Sequence, residues 1–240
     1  MSESESESEN ESEFIDPDEA FKIHGSTWYE VSQKHWSQQD HNVSGMLGGY
    51  PEMNVIDILS SRELIKSLVK KGMGKTRAAD IAGGIGRVSK NVLSQTFEYI
   101  DLVEYIPSFV ESAKQELESI VKFRGIAIGA QDWIPDTKYD LIWCQWAIMY
   151  LMDDDCINFL IRCKSSLNEH GFIVVKDNIA NKSKSLPKDR AQYRELDNQI
   201  NRTYKHYLEL FSKSGLKLIE SIPQKKWDPE LLPVYTFVLQ

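Results

Sequence analysis

The fold is decided by the stretch AADIAGGIGR at residues 78–87. Its first four residues form a short apolar strand, and the glycines that follow let the backbone turn sharply and approach a ligand. Glu104 ends the next apolar segment, 21 residues after Gly83, where an acid can accept both hydroxyls of a ribose. The pattern fits a dinucleotide or S-adenosylmethionine, and the departure from G-x-G-x-x-G disfavours the nicotinamide cofactors. The structural alternative is a tight strand-to-helix turn that binds nothing.

Strand-like and helix-like segments alternate along the chain. Strands are predicted at residues 78–81, 99–103, 125–128, 139–146, 171–175, 216–222 and 234–239. Helices are predicted at residues 26–36, 87–93, 106–121, 153–167 and 194–212, with one more that Ser60 or Ser61 caps and that ends near Gly72. Repeated strand–helix units imply a parallel sheet covered by helices on both faces. Ligands of such sheets bind at the carboxyl ends of the strands.

The charge of the chain is unevenly distributed. The 240 residues include 28 basic and 36 acidic side chains, and nine of the acids but no base fall in the first 19 residues. Residues 1–20 are therefore predicted to be a disordered acidic Ser/Glu tail, and residues 21–240 a single, nearly neutral domain. A neutral domain lacks the positive field that binding to nucleic acid phosphates requires, so no nucleic acid partner is expected.

Membrane spans and metal sites are not expected either. The longest apolar stretch, residues 141–152, is interrupted by Gln145 and is shorter than the ~20 residues of a membrane helix. Three cysteines are present, at residues 144, 156 and 163, without the spacing of a metal site. Their odd number favours a reducing compartment, so the protein is expected in the cytoplasm, the nucleus or both.

Two more segments follow predicted strands and are candidates for the same site. Gln131 and Asp132 come after the third strand, where either can hydrogen-bond an adenine. Trp133 either packs beside such a ligand or belongs to the core, and the segment alone favours neither. Gln145 and Trp146 end the fourth strand, beside the expected reacting centre.

Several longer sequence motifs, taken together, are quite specific for one protein family. They are Trp36 with MLGGY at residues 46–50, GIGR at 84–87, DLVE at 101–104, QDW at 131–133, IWCQW at 142–146, FLIRCK at 159–164 and VVKDN at 174–178. With them the chain closely resembles the eukaryotic alpha-N-terminal protein methyltransferases over roughly residues 26–240. These enzymes methylate the exposed amino group of proteins that begin Xaa-Pro-Lys.

The resemblance implies an α/β fold, the seven-stranded class I methyltransferase (Rossmann-like) sheet with extra N-terminal helices, and S-adenosylmethionine as cofactor. Arg87 would hold the methionine carboxylate, for which a guanidinium fork is well suited. Glu104 would bind the ribose, Gln131 the adenine, and Gln145 would lie near the sulfonium. The other implied cofactor-binding residues are Ala82, Gly84, Tyr105, Ile106 and Ala130.

The resemblance also implies residues for the substrate, a protein N-terminus of Xaa-Pro-Lys type. The implied walls of its channel are Trp36, Leu47, Gly48 and Trp146. Asn178 would bind the substrate amine or its first carbonyl. Asp197 aligns with the family's catalytic aspartate and would accept the proton or stabilise the ammonium. Tyr150 takes the place of a histidine that helps to remove the amine proton, and completes the implied catalytic set.

An active enzyme that methylates protein N-termini is the favoured interpretation. The alternative is a methyltransferase-fold binding protein, a partner or adaptor with weak or lost catalysis. Two residues favour that alternative: Ala82 stands where the family has a glycine, and Tyr150, with a reference pKa near ~10, is a poor base at neutral pH. A methyltransferase of nucleic acid amino groups is disfavoured because the Asn/Asp-Pro-Pro-Tyr word is absent. A small-molecule acceptor stays open.

Overall fold

The computed structural model describes residues 17–180 and 191–240. Its helices are α1 (Pro17–His24), α2 (Trp28–Trp36), α3 (Val43–Met46), α4 (Met53–Lys70), α5 (Arg87–Asn91), α6 (Pro107–Leu117), α7 (Asp153–Ser165) and α8 (Tyr204–Lys213). Its strands are β1 (Arg77–Ile81), β2 (Tyr99–Glu104), β3 (Lys122–Ala127), β4 (Tyr139–Gln145), β5 (Leu167–Asn178), β6 (Gln192–Arg194), β7 (Gln199–Asn201), β8 (Leu218–Pro223) and β9 (Val234–Leu239).

Seven strands form one sheet in the order β3-β2-β1-β4-β5-β9-β8. The first five are parallel, and β9 runs antiparallel to both of its neighbours. The strand order reverses between β1 and β4, which opens a crevice at the carboxyl ends of these strands. This architecture confirms the predicted class I methyltransferase sheet, including its closing pair of strands.

Helices cover both faces of the sheet because the strands in its centre are apolar on both sides. On one face α7 and α8 pack through Phe159, Leu160 and Phe211. On the other face α4 packs through Ile65 and Leu68. The extra N-terminal helices confirm the predicted addition, and α2 buries Trp28 against the β6–β7 hairpin.

The predicted helix over residues 194–212 is wrong in its first half. Strands β6 and β7 form an antiparallel hairpin there, and α8 begins only after Thr203, whose hydroxyl caps it by accepting the His206 N–H at 3.1 Å. Asn198 turns the hairpin with φ 53, a conformation that asparagine tolerates better than most residues. The hairpin side chains pack on Trp28, a contact distant in sequence that helical periodicity cannot reveal.

The predicted cap of α4 is also wrong. The helix begins at Met53, and Ser60 and Ser61 lie in its interior. The Ser60 hydroxyl donates to the carbonyl of Asp57 at 2.9 Å, so it bonds within the helix instead of starting it. The helix ends as predicted near Gly72, where φ is 100. Residues 1–16 of the predicted acidic tail lie outside the described residues, and α1 begins at Pro17, inside the segment assigned to that tail.

Residues 17–180 and 191–240 contain neither a membrane-spanning helix nor a metal-binding cluster. Every helix in these ranges is too short or too polar to reach across a bilayer. No group of three or more His, Cys, Asp or Glu in these ranges is arranged to hold a metal ion. The three cysteines are buried free thiols, and burial raises the pKa of Cys144 well above its usual value.

Candidate active site

One cavity lies at the carboxyl ends of β1, β2 and β4, and all nine residues predicted to bind the cofactor line it. They are Ala82, Gly84, Arg87, Glu104, Tyr105, Ile106, Ala130, Gln131 and Gln145. We call this space the cofactor cavity. The residues come from four separate loops, and the parallel strands bring those loops to one edge of the sheet.

Glu104 is a buried carboxylate with a fixed orientation. One oxygen accepts the backbone N–H of Gly84 at 2.9 Å, and the other accepts that of Ile106 at 2.8 Å. Burial raises the pKa of Glu104, and these backbone hydrogen bonds work against that rise. Because each carboxylate oxygen has two lone pairs, both oxygens can still accept a ligand hydroxyl.

Arg87 belongs to a buried ionic cluster beneath the cavity. Its Nη1 donates to Asp57 Oδ2 at 2.7 Å, and Lys176 Nζ lies 2.5 Å from Asp57 Oδ1. Gln145 Nε2 donates to the same Oδ1 at 2.8 Å, which fixes the amide at the end of β4. Burial alone would raise the pKa of Asp57, but the charges of Lys176 and Arg87 hold it below its usual value. The cluster has two basic side chains for one carboxylate, so it can balance the carboxylate of a ligand.

The glycine-rich loop has an unusual backbone. Ala82 has φ 51 and Trp146, at the end of the adjacent strand β4, has φ 50. Left-handed conformations of such residues are costly, and they concentrate at functional sites. At Gly84, with φ 55, a Cβ atom would lie 2.7 Å from the Met46 sulfur, so the loop leaves no room for a side chain there.

The loop after β3 is held from outside the cavity. Arg162 of α7 donates to the carbonyls of Gln131 at 2.8 Å and Trp133 at 2.9 Å. This clamp places Gln131 at the cavity wall. Trp133 is buried between Tyr139 and Phe159, so it belongs to the core and not to the ligand wall.

The residues present fit S-adenosylmethionine. The fit rests on a fixed carboxylate for ribose hydroxyls, a surplus of basic groups in the Asp57 cluster for the methionine carboxylate, and the glycine-rich loop that lines the cavity beside them. Gln131 supplies an amide for the adenine edge.

A second cavity adjoins the first, and we call it the substrate groove. All four residues predicted to wall the substrate channel line it: Trp36, Leu47, Gly48 and Trp146. Asn178 lines it as well, and its Oδ1 accepts the Trp146 indole N–H at 3.2 Å. Trp36, Met46, Trp146 and Tyr150 line both cavities, so the two spaces meet at these side chains.

Tyr150 and Asp197 are brought together, but only Tyr150 lines the cavities. The Tyr150 hydroxyl lies 3.2 Å from Asp197 Oδ2 and 3.3 Å from Gln199 Oε1. Burial, with the nearby Asp197 charge, raises the pKa of Tyr150 well above its usual value, so the hydroxyl stays protonated. The Asp197 side chain is 0% exposed and lies behind Arg194, which binds both of its oxygens at 2.8 and 2.5 Å.

The loop that carries Tyr150 is held by Arg202 of the segment after β7. Fully buried, Arg202 donates to the carbonyls of Ile148 at 2.8 Å and Leu151 at 2.5 Å. It also donates to Asp153 Oδ1 at the start of α7. Arg202 therefore fixes the loop that positions Tyr150 at the junction of the two cavities.

Asp57 is the site residue that sequence reasoning missed. It lies on the buried face of α4, in helical register with Ser61, Leu64 and Leu68. The available signal was an acidic residue on a helix face that otherwise points into the core. Buried carboxylates are almost always paired, so this position indicated a basic partner nearby.

The chain is similar to known methyltransferases over most of its length. A sequence model of the family described as S-adenosylmethionine-dependent proline dimethyltransferases matches residues 24–240. Alpha N-terminal protein methyltransferase 1 of Dictyostelium discoideum is 35% identical over 89% of this chain and 79% of its own. N-terminal Xaa-Pro-Lys N-methyltransferase 1 of Homo sapiens is 34% identical over 95% of this chain and 99% of its own.

A solved structure gives the same result. It is an S-adenosylmethionine-dependent methyltransferase of Leishmania major, 31% identical, with a TM-score of 0.85 over 93% of this chain and 91% of that one. The match of the family model over nearly the whole domain, together with these relatives, confirms the resemblance seen in the sequence. The chain belongs to the S-adenosylmethionine-dependent proline dimethyltransferase family.

Proposed function

We propose that this enzyme transfers methyl groups from S-adenosylmethionine to the free α-amino group of proteins with an Xaa-Pro-Lys type N-terminus. The observation that carries the proposal is the junction of the two cavities at Trp36, Met46, Trp146 and Tyr150. A chain end that enters the substrate groove reaches the cofactor cavity there, beside the two tryptophans.

In the cofactor cavity, Arg87 would hold the methionine carboxylate, Glu104 the ribose and Gln131 the adenine. When bound, S-adenosylmethionine supplies a methyl group on a positively charged sulfur. The protein's own part is to fix the polar groups around it, which it does through the Asp57 cluster and the Arg162 clamp.

In the groove, Asn178 and Tyr150 are the polar groups that would meet the substrate amine. A free α-amino group has a reference pKa of about 7.7–8.0, so an appreciable fraction is neutral at pH 7 and no strong base is needed. The protonated Tyr150 hydroxyl donates toward Asp197 or Gln199 and keeps a lone pair for the amine N–H. We assign Asp197 the role of orienting Tyr150, since Arg194 already binds both of its oxygens.

The test uses mass spectrometry of peptides incubated with the purified protein and S-adenosylmethionine. A peptide that begins Ser-Pro-Lys should gain methyl groups on its α-nitrogen. An otherwise identical acetylated peptide should gain none, because its amide nitrogen has no available lone pair. Fragment ions locate the label.

Two results would contradict the proposal. Label on the lysine side chain alone would mean a different acceptor. Binding of S-adenosylmethionine with no transfer to any N-terminal peptide would favour a binding protein built on this fold.

A further inference from the structure

Arg194 has an unusual place in the substrate groove. It lines the groove with its side chain 48% exposed, while its partner Asp197 is 0% exposed and is not part of the wall. Both residues belong to the β6–β7 hairpin, and the Ser32 hydroxyl fixes the turn by donating to the Asp197 carbonyl at 2.6 Å. The wall of the groove therefore exposes the Arg194 guanidinium, and the Asp197 carboxylate is buried behind it.

Arg194 binds both carboxylate oxygens of Asp197 and so separates Asp197 from the groove. Arg194 Nε donates to Oδ1 at 2.8 Å and Nη2 donates to Oδ2 at 2.5 Å, the fork geometry of a strong ion pair. Nη2 also donates to Gln199 Oε1 at 2.8 Å. Nη1 makes no hydrogen bond within the described residues and remains a donor for a substrate.

Arg194 lies close to Tyr150, where the substrate amine is placed, so the guanidinium faces the first few residues of the substrate. Arg194 Nη2 and the Tyr150 hydroxyl lie 2.5 and 3.2 Å from the same oxygen of Asp197. An extended chain advances by roughly 3.3–3.6 Å per residue. A peptide whose amine lies at Tyr150 thus has its second and third residues within reach of Arg194.

Two further charges line the groove, Glu195 and Glu230, and both are exposed. Charges in water are screened over about 8–10 Å at moderate salt. They attract a basic substrate as it approaches, but they do not replace a carboxylate beneath the docked side chain.

We propose that Arg194 is a specificity-determining residue that relaxes the requirement for lysine at the third substrate position. Its positive charge and its hold on both oxygens of Asp197 leave no buried acceptor there for a lysine ammonium, and its Nη1 can donate a hydrogen bond to a neutral or acidic side chain in that place. The inference rests on the proposed function and widens its substrate class from Xaa-Pro-Lys to Xaa-Pro-Gln and Xaa-Pro-Glu N-termini.

The test compares kcat/KM for three peptides that differ only at the third residue, Ser-Pro-Lys, Ser-Pro-Gln and Ser-Pro-Glu, at high salt to screen the exposed glutamates. For the wild-type enzyme the three values should agree within about fivefold, the effect of an exposed ion pair. Arg194→Gln uncovers Asp197, so the Lys-to-Gln ratio should rise by about tenfold or more, as expected for a hydrogen bond to a charged group. Taking the ratio cancels any common loss of kcat through Tyr150.

Arg124→Gln is the matched control, because Arg124 is 40% exposed and pairs with the fully buried Asp101 away from the groove. It should leave the ratio unchanged. A wild-type preference for lysine of tenfold or more at high salt overturns the inference, and that measurement needs no variant to fold. An unchanged ratio in a folded Arg194→Gln enzyme overturns it too. Failure of wild type to methylate any of the peptides would instead overturn the proposed function, and this inference with it.

Discussion

Arg87 Nη1 lies 2.7 Å from Asp57 Oδ2, and both side chains are buried. This contact joins α4 to the glycine-rich loop across 30 residues of sequence. It leaves the rest of the Arg87 fork for a ligand, while Lys176 holds the other Asp57 oxygen. The cofactor cavity thus depends on a carboxylate that does not line it.

Removing that carboxylate should cost stability. Asp57→Asn leaves Arg87 and Lys176 buried without their counter-charge, and breaking a buried pair typically costs about 3–5 kcal/mol of unfolding free energy. Chemical denaturation measures the loss. Asp136→Asn is the control, since its pair with Arg124 is exposed and worth at most about 1 kcal/mol. Equal costs for the two changes would show that the Asp57 cluster is not held as described.

Glu104 should determine affinity for the nucleoside part of the cofactor. Glu104→Gln points an amide N–H at the backbone N–H of Gly84 or Ile106, and it removes acceptors for the ribose. Binding of S-adenosylhomocysteine, followed by calorimetry, should weaken by about 1–3 kcal/mol. Glu111→Gln, exposed on α6, should bind as wild type does. Unchanged affinity in the Glu104 variant would place the ribose elsewhere.

Tyr150 and Asp197 should act as one unit. Tyr150→Phe removes the hydroxyl at the cavity junction, and Asp197→Asn removes the negative charge toward which that hydroxyl donates. Each should lower kcat about 10- to 100-fold while cofactor affinity stays unchanged, and the double variant should be little worse than either single one. Tyr99→Phe is the control, because Tyr99 begins β2 at the end away from the cofactor cavity. A large loss for Asp197→Asn with normal turnover of Tyr150→Phe would make Asp197 the direct proton acceptor.

Asp177 should make stability depend on pH. Burial raises its pKa to about 7, and its Oδ2 has no hydrogen-bond partner within the described residues. Between about pH 4 and 7 the folded protein therefore binds a proton that the unfolded chain does not, so wild-type stability falls as pH rises through this window. Asp177→Asn has no such proton to lose. Its unfolding free energy relative to wild type should increase from pH 4 to 7 by about 3–4 kcal/mol and then level off.

A non-titrating change away from Asp177 provides the comparison. Ser214→Ala removes a buried hydroxyl that donates to the Leu210 carbonyl at 2.8 Å. Its stability relative to wild type should stay nearly constant over the same pH range. A flat difference for Asp177→Asn as well would mean that the carboxyl group titrates near its ordinary pKa.

The glycine-rich loop should respond in opposite ways to two small changes. Ala82→Gly relieves a φ of 51 and should raise the unfolding free energy by up to about 1 kcal/mol. Gly86→Ala should lower it by more, because φ is 79 there and the new Cβ would lie 2.9 Å from Leu117. Thermal unfolding of both variants decides the matter, and destabilisation by Ala82→Gly would be the contrary result.

The sequence alone determined the sheet and the cofactor cavity of this protein. The cofactor residues lie at or shortly after the ends of predicted strands, as Ala82 follows β1 and Gln145 ends β4, and parallel strands carry such residues to one edge. The spacing from Gly83 to Glu104 reflects one strand–helix–strand repeat. The local sequence pattern is enough to predict these residues, because the parallel sheet itself brings the strand ends together.

The tertiary structure alone decided the features that depend on contacts between distant segments. Residues 192–201 form a hairpin because Tyr193 and Ile200 bury Trp28 of α2, a gain that helical spacing does not encode. Asp57 became a site residue only when α4 packed beside Arg87, Gln145 and Lys176. Asp197 is covered because the hairpin turns Arg194 back onto it, and such a charge pair is visible only once the backbone has brought both side chains to the same wall.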